Sequence, residues 1–517
     1  MVVVELSKTA AQENRSLYFV LCWVCILLLH ITTIYVVVSL YIIQLYYIPQ
    51  LCTLHWDSKL TPKLSNVRQL EERLTVVVGD AERLKLLGVP AYEKQTNEAC
   101  GAIIARLTCK LLQDWCCTDQ VVNMAFDTTA SNTGHLTAAC IAIQLSLGRP
   151  LLWSGCRHHI GEVLLNQVFT QLKVESSRSP EVTLFTRLRE NWKLLPQESS
   201  TQWSRYIPAN TEQPFLGKLR AELLTCAKEV IDYKRGDYRE CVQLCLVFLD
   251  ADGEEQTALT LQRPGALHKA RWMAKLLYSL KLALMEQHIA LLPQGTITTR
   301  QQVPKIRAFT NFITHIYAKW WLTCEKAVDA AWNDLTLYHR LQAYKAVDEA
   351  YKALERHRWY LTGEMLPLAL FSSKVPIDDK RALASAILEH KPADLPMHVP
   401  QQRFGKPKFP ALLPTTSLPD LANTDCWFGM HQLNIDPAFL SLDVKEWATN
   451  AAFKKSEVNV HAVNVVNDCA ERGVKLTSDF VAVARKEQHL QNVLQAVEHD
   501  RSQQPNLRRC KRKLIPE

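Results

Sequence analysis

The chain has 517 residues and a net charge of +8, enough length to bury one large core or two to three smaller ones. So mild a basic balance is compatible with nucleic acid as a partner without being diagnostic of it. The 16 cysteines are scattered without a regular framework. That excludes a disulfide-stapled scaffold and favours reduced thiols in a cytosolic or nuclear setting. Cys22 and Cys25 form a CxxC inside an apolar run with no second pair, which excludes a metal site there.

Residues 1–16 are polar. From Ser16 to Trp56 there is no Asp, Glu, Lys or Arg. The apolar run at 17–48 exceeds the roughly 20 residues that cross a bilayer and is too long for a signal-peptide core. Hydropathy predicts one hydrophobic transmembrane helix here, or two short ones. The alternative is a buried piece of a soluble core. Glu5, Lys8, Glu13 and Arg15 cancel before the run, while Lys59, Lys63 and Arg68 follow it. The positive flank places the bulk of the chain on the cytoplasmic side.

Next, residues 50–60 (QLCTLHWDSKL) read as a strand that carries Asp57 near its end. Residues 73–80 read as a second strand, and LKLLGVPAY as a short third. Residues 95–117 carry Ala99, Ile103, Ile104, Leu107, Leu111, Leu112 and Trp115 at helical spacing. Val121, Val122, Met124 and Phe126 then form a β-branched apolar strand that ends on Asp127. Thr128, Thr129, Ser131, Asn132 and Gly134 make a polar turn, followed by a helix predicted over Leu136–Leu147. A short strand, PLLWSGC, leads to a helix starting near His159. The order β-β-β-α-β-α-β-α predicts a mixed α/β sheet with helices on its faces, its first part spanning residues 50–174.

Residues 175–450 read as a large all-α insertion. Its helical patterns include Phe215–Tyr233, Tyr238–Phe248, Ala266–Leu292, Val303–Cys324 and Lys326–Leu361, with Pro-rich breaks at 392–419. Trp320 and Trp321 read as helical core. Residues 451–490 return to complete the sheet domain, and an amphipathic helix is predicted over 456–485 with Glu471 in its middle. The tail, 491–517, is basic (Arg508, Arg509, Lys511, Arg512, Lys513), which suits a nuclear-import or phosphate-contacting tag as well as a solvated end.

In a sheet of this order the first and fourth predicted strands lie side by side and parallel, which would make Asp57 and Asp127 neighbours. A carboxylate at the end of a buried strand is a common place for chemistry in α/β folds, although Asp127 would equally serve to cap the next helix. Two adjacent carboxylates repel unless a cation lies between them, and a divalent metal is the simplest one. A third acid from a returning helix would complete the ligand set: Glu471, or Asp468 close to one turn earlier. Two hard cations roughly 4 Å apart would hold a phosphodiester, activate water on one side and stabilise the leaving oxygen on the other.

These residues and their order resemble an RNase H-like DDE transposase, and most closely the hAT-like superfamily. The matching elements are Asp57 in LHWDSK and Asp127 in FDTTASNTG, then Cys156 to His159 in GCRHHIGEVLL. After them come Arg271-Trp272 in KARWMAK, within the long helical insertion, and Glu471-Arg472 in NDCAERGVKL. The likeness covers roughly residues 50–490. It implies an RNase H-like core with Asp57, Asp127 and Glu471 as catalytic metal ligands for two Mg²⁺ (or Mn²⁺). The implied reaction cleaves a DNA phosphodiester, and the freed 3′-hydroxyl then attacks target DNA. DNA is the expected partner, with a homo-oligomer also expected, and the nucleus the expected location of the ancestral protein. A membrane is the alternative location if 17–48 acts as an anchor. Cys156, His158 and His159 would brace the active-site strand or touch nucleic acid, with His158 the more exposed, although a core histidine is an equal reading. Lys269, Arg271, Lys275 and Arg472 are the candidate DNA contacts; a solvated helix face is the plainer reading of the first three. The family's amino-terminal zinc-finger domain has no counterpart here, since the uncharged run takes its place. Two other readings stand beside this one: a non-catalytic DNA- or protein-binding relic on the same fold, and a membrane-anchored interaction protein.

Overall fold

The computed structural model describes residues 50–63, 68–80, 83–93, 98–134, 137–175, 182–198, 203–206, 213–230, 236–249, 260–265, 271–343, 348–394 and 412–467. By its internal contacts the chain divides after Gln50, and the described residues beyond that point belong to the unit that begins at Leu51. The hydrophobic segment 17–48, the basic tail 491–517, and Lys269, Asp468, Glu471 and Arg472 lie outside the described residues. Among the described residues no helix is long and apolar enough to cross a membrane.

Six strands form one mixed sheet: β1 (Cys52–Pro62), β2 (Leu70–Gly79), β3 (Leu84–Gly88), β4 (Ala91–Tyr92), β5 (Val121–Phe126) and β6 (Leu152–Gly155). Their order is β3-β2-β1-β5-β6, with β4 paired to β2. The first strands form antiparallel neighbours, and Asp57 faces Thr75 across β1 and β2. β5 joins β1 in parallel, and β6 joins β5 in parallel. The predicted mixed α/β sheet is therefore present, with β5 ending at Phe126, immediately before Asp127.

Alternation along the strands sends Leu54, Trp56, Met124 and Phe126 to one face and Thr53, His55 and Asn123 to the other. All seven are buried, so both faces are covered. The apolar face holds an aromatic stack in which Trp56 lies on Phe126, Phe126 meets Trp153 edge-on, and Trp153 stacks on Trp359.

Helix α1 (Cys100–Asp114) buries Ile103, Ile104 and Leu112, as its period requires. Gly101 lets it approach the chain near Thr137, because a Cβ there would lie 2.2 Å from the Thr137 carbonyl oxygen. A one-turn helix α2 (Ala130–Thr133) follows β5, and α3 (Ala139–Leu147) starts three residues later than predicted. Gly148 ends α3 in the left-handed region (φ 66°) that favours glycine. Helix α4 (Arg157–Gln171) begins two residues earlier than predicted.

The region from Val182 onward is helical; the patterns at Phe215–Tyr233 and Tyr238–Phe248 each carry one helix, while the longer patterns are broken into shorter ones. They are α5 (Thr183–Glu190), α6 (Gln213–Val230), α7 (Gly236–Leu249), α8 (Arg271–Leu284), α9 (Glu286–Ala290), α10 (Val303–Phe312), α11 (Ala318–Leu322), α12 (Ala330–Ala343), α13 (Asp348–Glu355), α14 (Ile377–Glu389), α15 (Asp425–Gln432), α16 (Val444–Trp447) and α17 (Ala451–His461). The single helix expected over Ala266–Leu292 breaks at Met285, and a π-turn at Ile313–Tyr317 joins α10 to α11. The helix expected over Lys326–Leu361 is at least three pieces, because a 3-10 turn precedes α12 and α13 ends at Glu355. Trp320 and Trp321 are buried, as the core reading expected.

Of the helix expected over 456–485, the described part is helical only as far as His461, where α17 ends; residues 463–467 are not helical, and 468–485 lie outside the described residues. The reason is chemical: the amides of Asn464 and Asn467 find backbone partners on the sheet that a helix would forgo.

One ion pair joins the sheet domain to the helices. Arg157, the first residue of α4, is fully buried and donates to Asp334 Oδ1 on α12 at 2.8 Å and to the Ala330 carbonyl at 3.3 Å. Trp320 Nε1 donates to the same carboxylate oxygen, and the guanidinium lies between the Trp320 and Tyr360 rings. Burial, the largest single influence, works against its charge, but the Asp334 carboxylate together with Cys324 and Tyr360 outweighs it and raises the Arg157 pKa. Breaking such a pair leaves an uncompensated buried charge, which costs about 3–5 kcal/mol. Arg157→Ala and Asp334→Ala should each lower the unfolding free energy measured by urea denaturation by that order, whereas Arg157→Met with Asp334→Leu should lose less than either alone. Strictly additive losses would refute the coupling.

Candidate active site at the ends of the parallel strands

His55 of β1 pairs with Ala125 of β5. Two residues beyond that last paired rung, where strands lie roughly 4.8 Å apart, come Asp57 and Asp127. Asp127 follows β5 directly, but Asp57 is not at the end of its strand as expected: β1 continues to Pro62 in antiparallel pairing with β2, so Asp57 stands in its middle. Both are partly exposed. They border a cleft of about 270 Å³ whose wall also includes Glu72, Tyr92 and Asn132. Tyr92 donates its hydroxyl to Glu72 at 2.8 Å. A second hollow, of about 280 Å³, shares Cys100 and Ser131 with the first and extends to Thr137 and Ala138.

Asn132 ties the two acid-bearing chains together. Its Nδ2 donates to the Asp127 carbonyl at 2.9 Å, and its Oδ1 accepts from Trp56 Nε1 at 2.9 Å. The polar turn after Asp127 is thus a clamp on the residue that precedes Asp57.

Helix α4 supplies the next group. Because it starts at Arg157, positions 157, 158, 160, 161, 164 and 165 face inward, and 159 and 162 lie at the rim. His158 is therefore not the exposed histidine. It is 5% exposed, stacks on Trp321 and meets Tyr238 edge-on. His159 takes the outer position, with Nδ1 3.8 Å from Asp127 Oδ2 and 3.9 Å from Glu162 Oε2. Cys156 is a buried thiol whose Sγ accepts the Asn467 backbone N–H at 3.2 Å.

The helical region adds a third histidine that sequence reasoning missed. His357 accepts from Trp359 Nε1 at 3.4 Å, and Tyr360 donates to the Gly155 carbonyl at 2.6 Å. Burial first, then the neighbouring His159 and Arg356, push the His357 imidazole down to about 4. The only signal was the cluster His357, Arg358, Trp359, Tyr360 inside a run otherwise read as plain helix.

The strap at 463–467 was also missed. Asn464 donates to the Asp80 carbonyl at 2.7 Å and to Thr53 Oγ1 at 3.1 Å, and its carbonyl accepts from Asn123. Val465 accepts the Arg157 N–H, and Asn467 Nδ2 donates to the Trp56 carbonyl at 2.9 Å.

Of the predicted DNA contacts, Arg271 begins α8. Lys275 is turned toward α4: it donates to Asn166 Oδ1 at 2.5 Å and lies over the Phe169 ring. Burial lowers its pKa, with Glu162 working the other way. A phosphate contact at Lys275 would have to compete with these partners.

Among the described residues no group of three or more His, Cys, Asp or Glu side chains is placed to hold a metal ion. No protein-family model matches the chain, and no curated protein sequence matches it.

The His357 shift has a defined sign. A histidine held neutral by the fold binds its proton less readily than in the unfolded chain, so its contribution to stability is complete above about 6.5. That contribution is lost as pH falls toward about 4. Urea unfolding of the wild type and of His357→Gln should therefore converge as pH drops from 7.5 to 4.5. A gap that stays constant over that range would remove His357 as the source.

Proposed function

We propose that the chain is a transposase-derived DNA-cleaving and strand-transfer protein with an RNase H-like core of hAT-like type, acting through a two-metal acidic site. The observation that carries this reading is the parallel pairing of β1 with β5, with Asp57 and Asp127 just past the last paired rungs. The mixed sheet order, antiparallel on one side of β1 and parallel on the other, supports the RNase H-like assignment.

The donor set fits the cofactor in kind. Carboxylate oxygens suit hard cations such as Mg²⁺ or Mn²⁺. A further ligand is needed, for which this reading takes Glu471, with Asp468 as the alternative. Asn467 hydrogen-bonds the Trp56 carbonyl and stands four residues before Glu471. Four residues span at most about 14 Å, so covalent reach permits the assignment. When bound, two such cations would supply Lewis-acid stabilisation to the attacking and leaving oxygens of a phosphodiester.

The chain's own residues then have distinct tasks. Asp57, in the middle of β1, and Asp127, just past β5, hold the charge where the parallel pairing ends, and Asn132 fixes the spacing of the backbones that carry them. His159 stands beside Asp127 at ion-pair range, so a protonated His159 would compete with a cation for that carboxylate. The partner is DNA, the cofactor Mg²⁺ or Mn²⁺, and the site of action the nucleus.

The full chain should nick supercoiled plasmid in Mg²⁺ and not in EDTA. Asp127→Asn should lower that rate by about 100-fold or more, the scale expected when a metal ligand is lost. Unchanged Mg²⁺-dependent nicking by Asp127→Asn would remove the assignment. Steeply salt-dependent DNA binding without any nicking by the wild type would favour the non-catalytic relic. Carbonate-resistant membrane association, lost on deleting residues 1–48, would favour the anchored interaction protein.

A further inference from the structure

We propose that Asn467 is a positioning residue for Asp57: it latches the peptide that joins Trp56 to Asp57 and so fixes where the first carboxylate stands. The inference rests on the two-metal reading and deepens it.

Asn467 is 6% exposed, and both ends of it are engaged. Its side-chain Nδ2 donates to the Trp56 carbonyl at 2.9 Å, and its backbone N–H donates to Cys156 Sγ at 3.2 Å. The two anchors lie on β1 and just past β6, one on each side of β5, so a single residue spans the strand that ends at Asp127. The indole of the same Trp56 is held by Asn132, which also holds the Asp127 carbonyl. Trp56 is thus gripped twice, through its carbonyl by Asn467 and through its ring by Asn132. Because Trp56 is itself 1% exposed and stacked on Phe126, the residue after it has little freedom to shift.

The strap has its own alignment device, which serves as an internal control. Asn464 bonds Asp80, Thr53 and Asn123, at the far end of the same strands and away from the acids. The bonds to Thr53 and Asn123 are made by the Asn464 backbone, so truncating its side chain removes the Asp80 bond alone and loosens the strap without touching the Trp56 carbonyl. Removing the Asn467 amide should leave that buried carbonyl short of a donor directly beside Asp57.

Outer groups that orient a metal ligand typically affect metal affinity or rate by about 10–100-fold. Three full-length variants, Asn467→Ala, Asn464→Ala and Asp127→Asn, are compared with wild type in Mg²⁺-dependent plasmid nicking, with thermal midpoints recorded for each. Asn467→Ala is expected to lower kcat about tenfold or more and to raise the Mg²⁺ concentration for half-maximal rate, with the KM for DNA unchanged. Asn464→Ala, which likewise removes one side-chain hydrogen bond, is expected to lose comparable thermal stability while keeping kcat within about twofold. Wild-type kcat and Mg²⁺ dependence in Asn467→Ala, with Asp127→Asn inactive, would overturn the latch and leave the nuclease reading intact. Equal losses of kcat in both asparagine variants would also overturn it, by reducing Asn467 to a fold contact. Unchanged nicking by Asp127→Asn, or none by wild type, would overturn the nuclease reading and the latch with it.

Discussion

A guanidinium with no exposure to water governs how the two parts of the described structure meet. Taking a charge out of water is costly, and Arg157 is tolerated only because Asp334, the Ala330 carbonyl and two aromatic rings receive it. Those groups come from α11, α12 and the segment after α13, so the helical region must dock in one orientation. The same residue opens α4, and its placement sets the rotation of that helix. With position 157 turned inward, 158 goes in beside it and 159 comes out next to Asp127. A buried ion pair far from solvent thereby sets which histidine stands beside Asp127.

The opposite face of the sheet is organised by hydrogen bonds. Thr53, Asn123, Ser154 and Asn464 form a connected set: Asn123 donates to Thr53 and to the Asn464 carbonyl, and accepts from Ser154. An apolar helix could cover such a face only by leaving these groups unpaired, at roughly 1–3 kcal/mol each. An extended strap can bring backbone donors and acceptors into register with them. Coverage by a strap also links remote parts of the sequence. Residues near 464 contact residues near 53, so the carboxyl-terminal part of the described chain is fastened along β1 from its start to the residue before Asp57.

Period and residue type made the strands legible. The β-branched run before Asp127 and the alternation before Asp57 need only local information, and short connections then dictate which strands pair. The parallel adjacency of the two acid-bearing strands followed from that order. Helix ends were much less legible. The run Lys326–Leu361 keeps helical apolar spacing, yet the chain leaves the helix after Glu355, where Trp359 and Tyr360 find partners on Trp153 and Gly155 that are some 200 positions away. The sequence from Ala462 to Asn467 likewise reads as amphipathic helix, and what defeats it there is a set of partners on β1, on β5 and just past β2. His158 and His159 were misordered for a related reason. Which of two adjacent histidines faces out depends on where α4 starts, and that depends on Arg157 meeting Asp334.

The cleft combines a rigid frame with acids that still see solvent. The Asp127 side chain keeps about a third of its exposure, while the residues that fix its backbone are buried. That division would suit the cations of the proposed site, which as hydrated ions would have to reach the carboxylates and shed only part of their water shell. It also means that distance between the acids is set by main-chain clamps rather than by contact between the acids themselves. The aromatic stack extends the frame into the helical region, because its far member, Trp359, lies two residues from His357 and bonds to it. A displacement of those helices would therefore carry His357 away from His159 and unstack Trp153 in the same movement. The helical region and the strand ends behave as one mechanical piece, and the histidines near Asp127 hold their places only while it remains assembled.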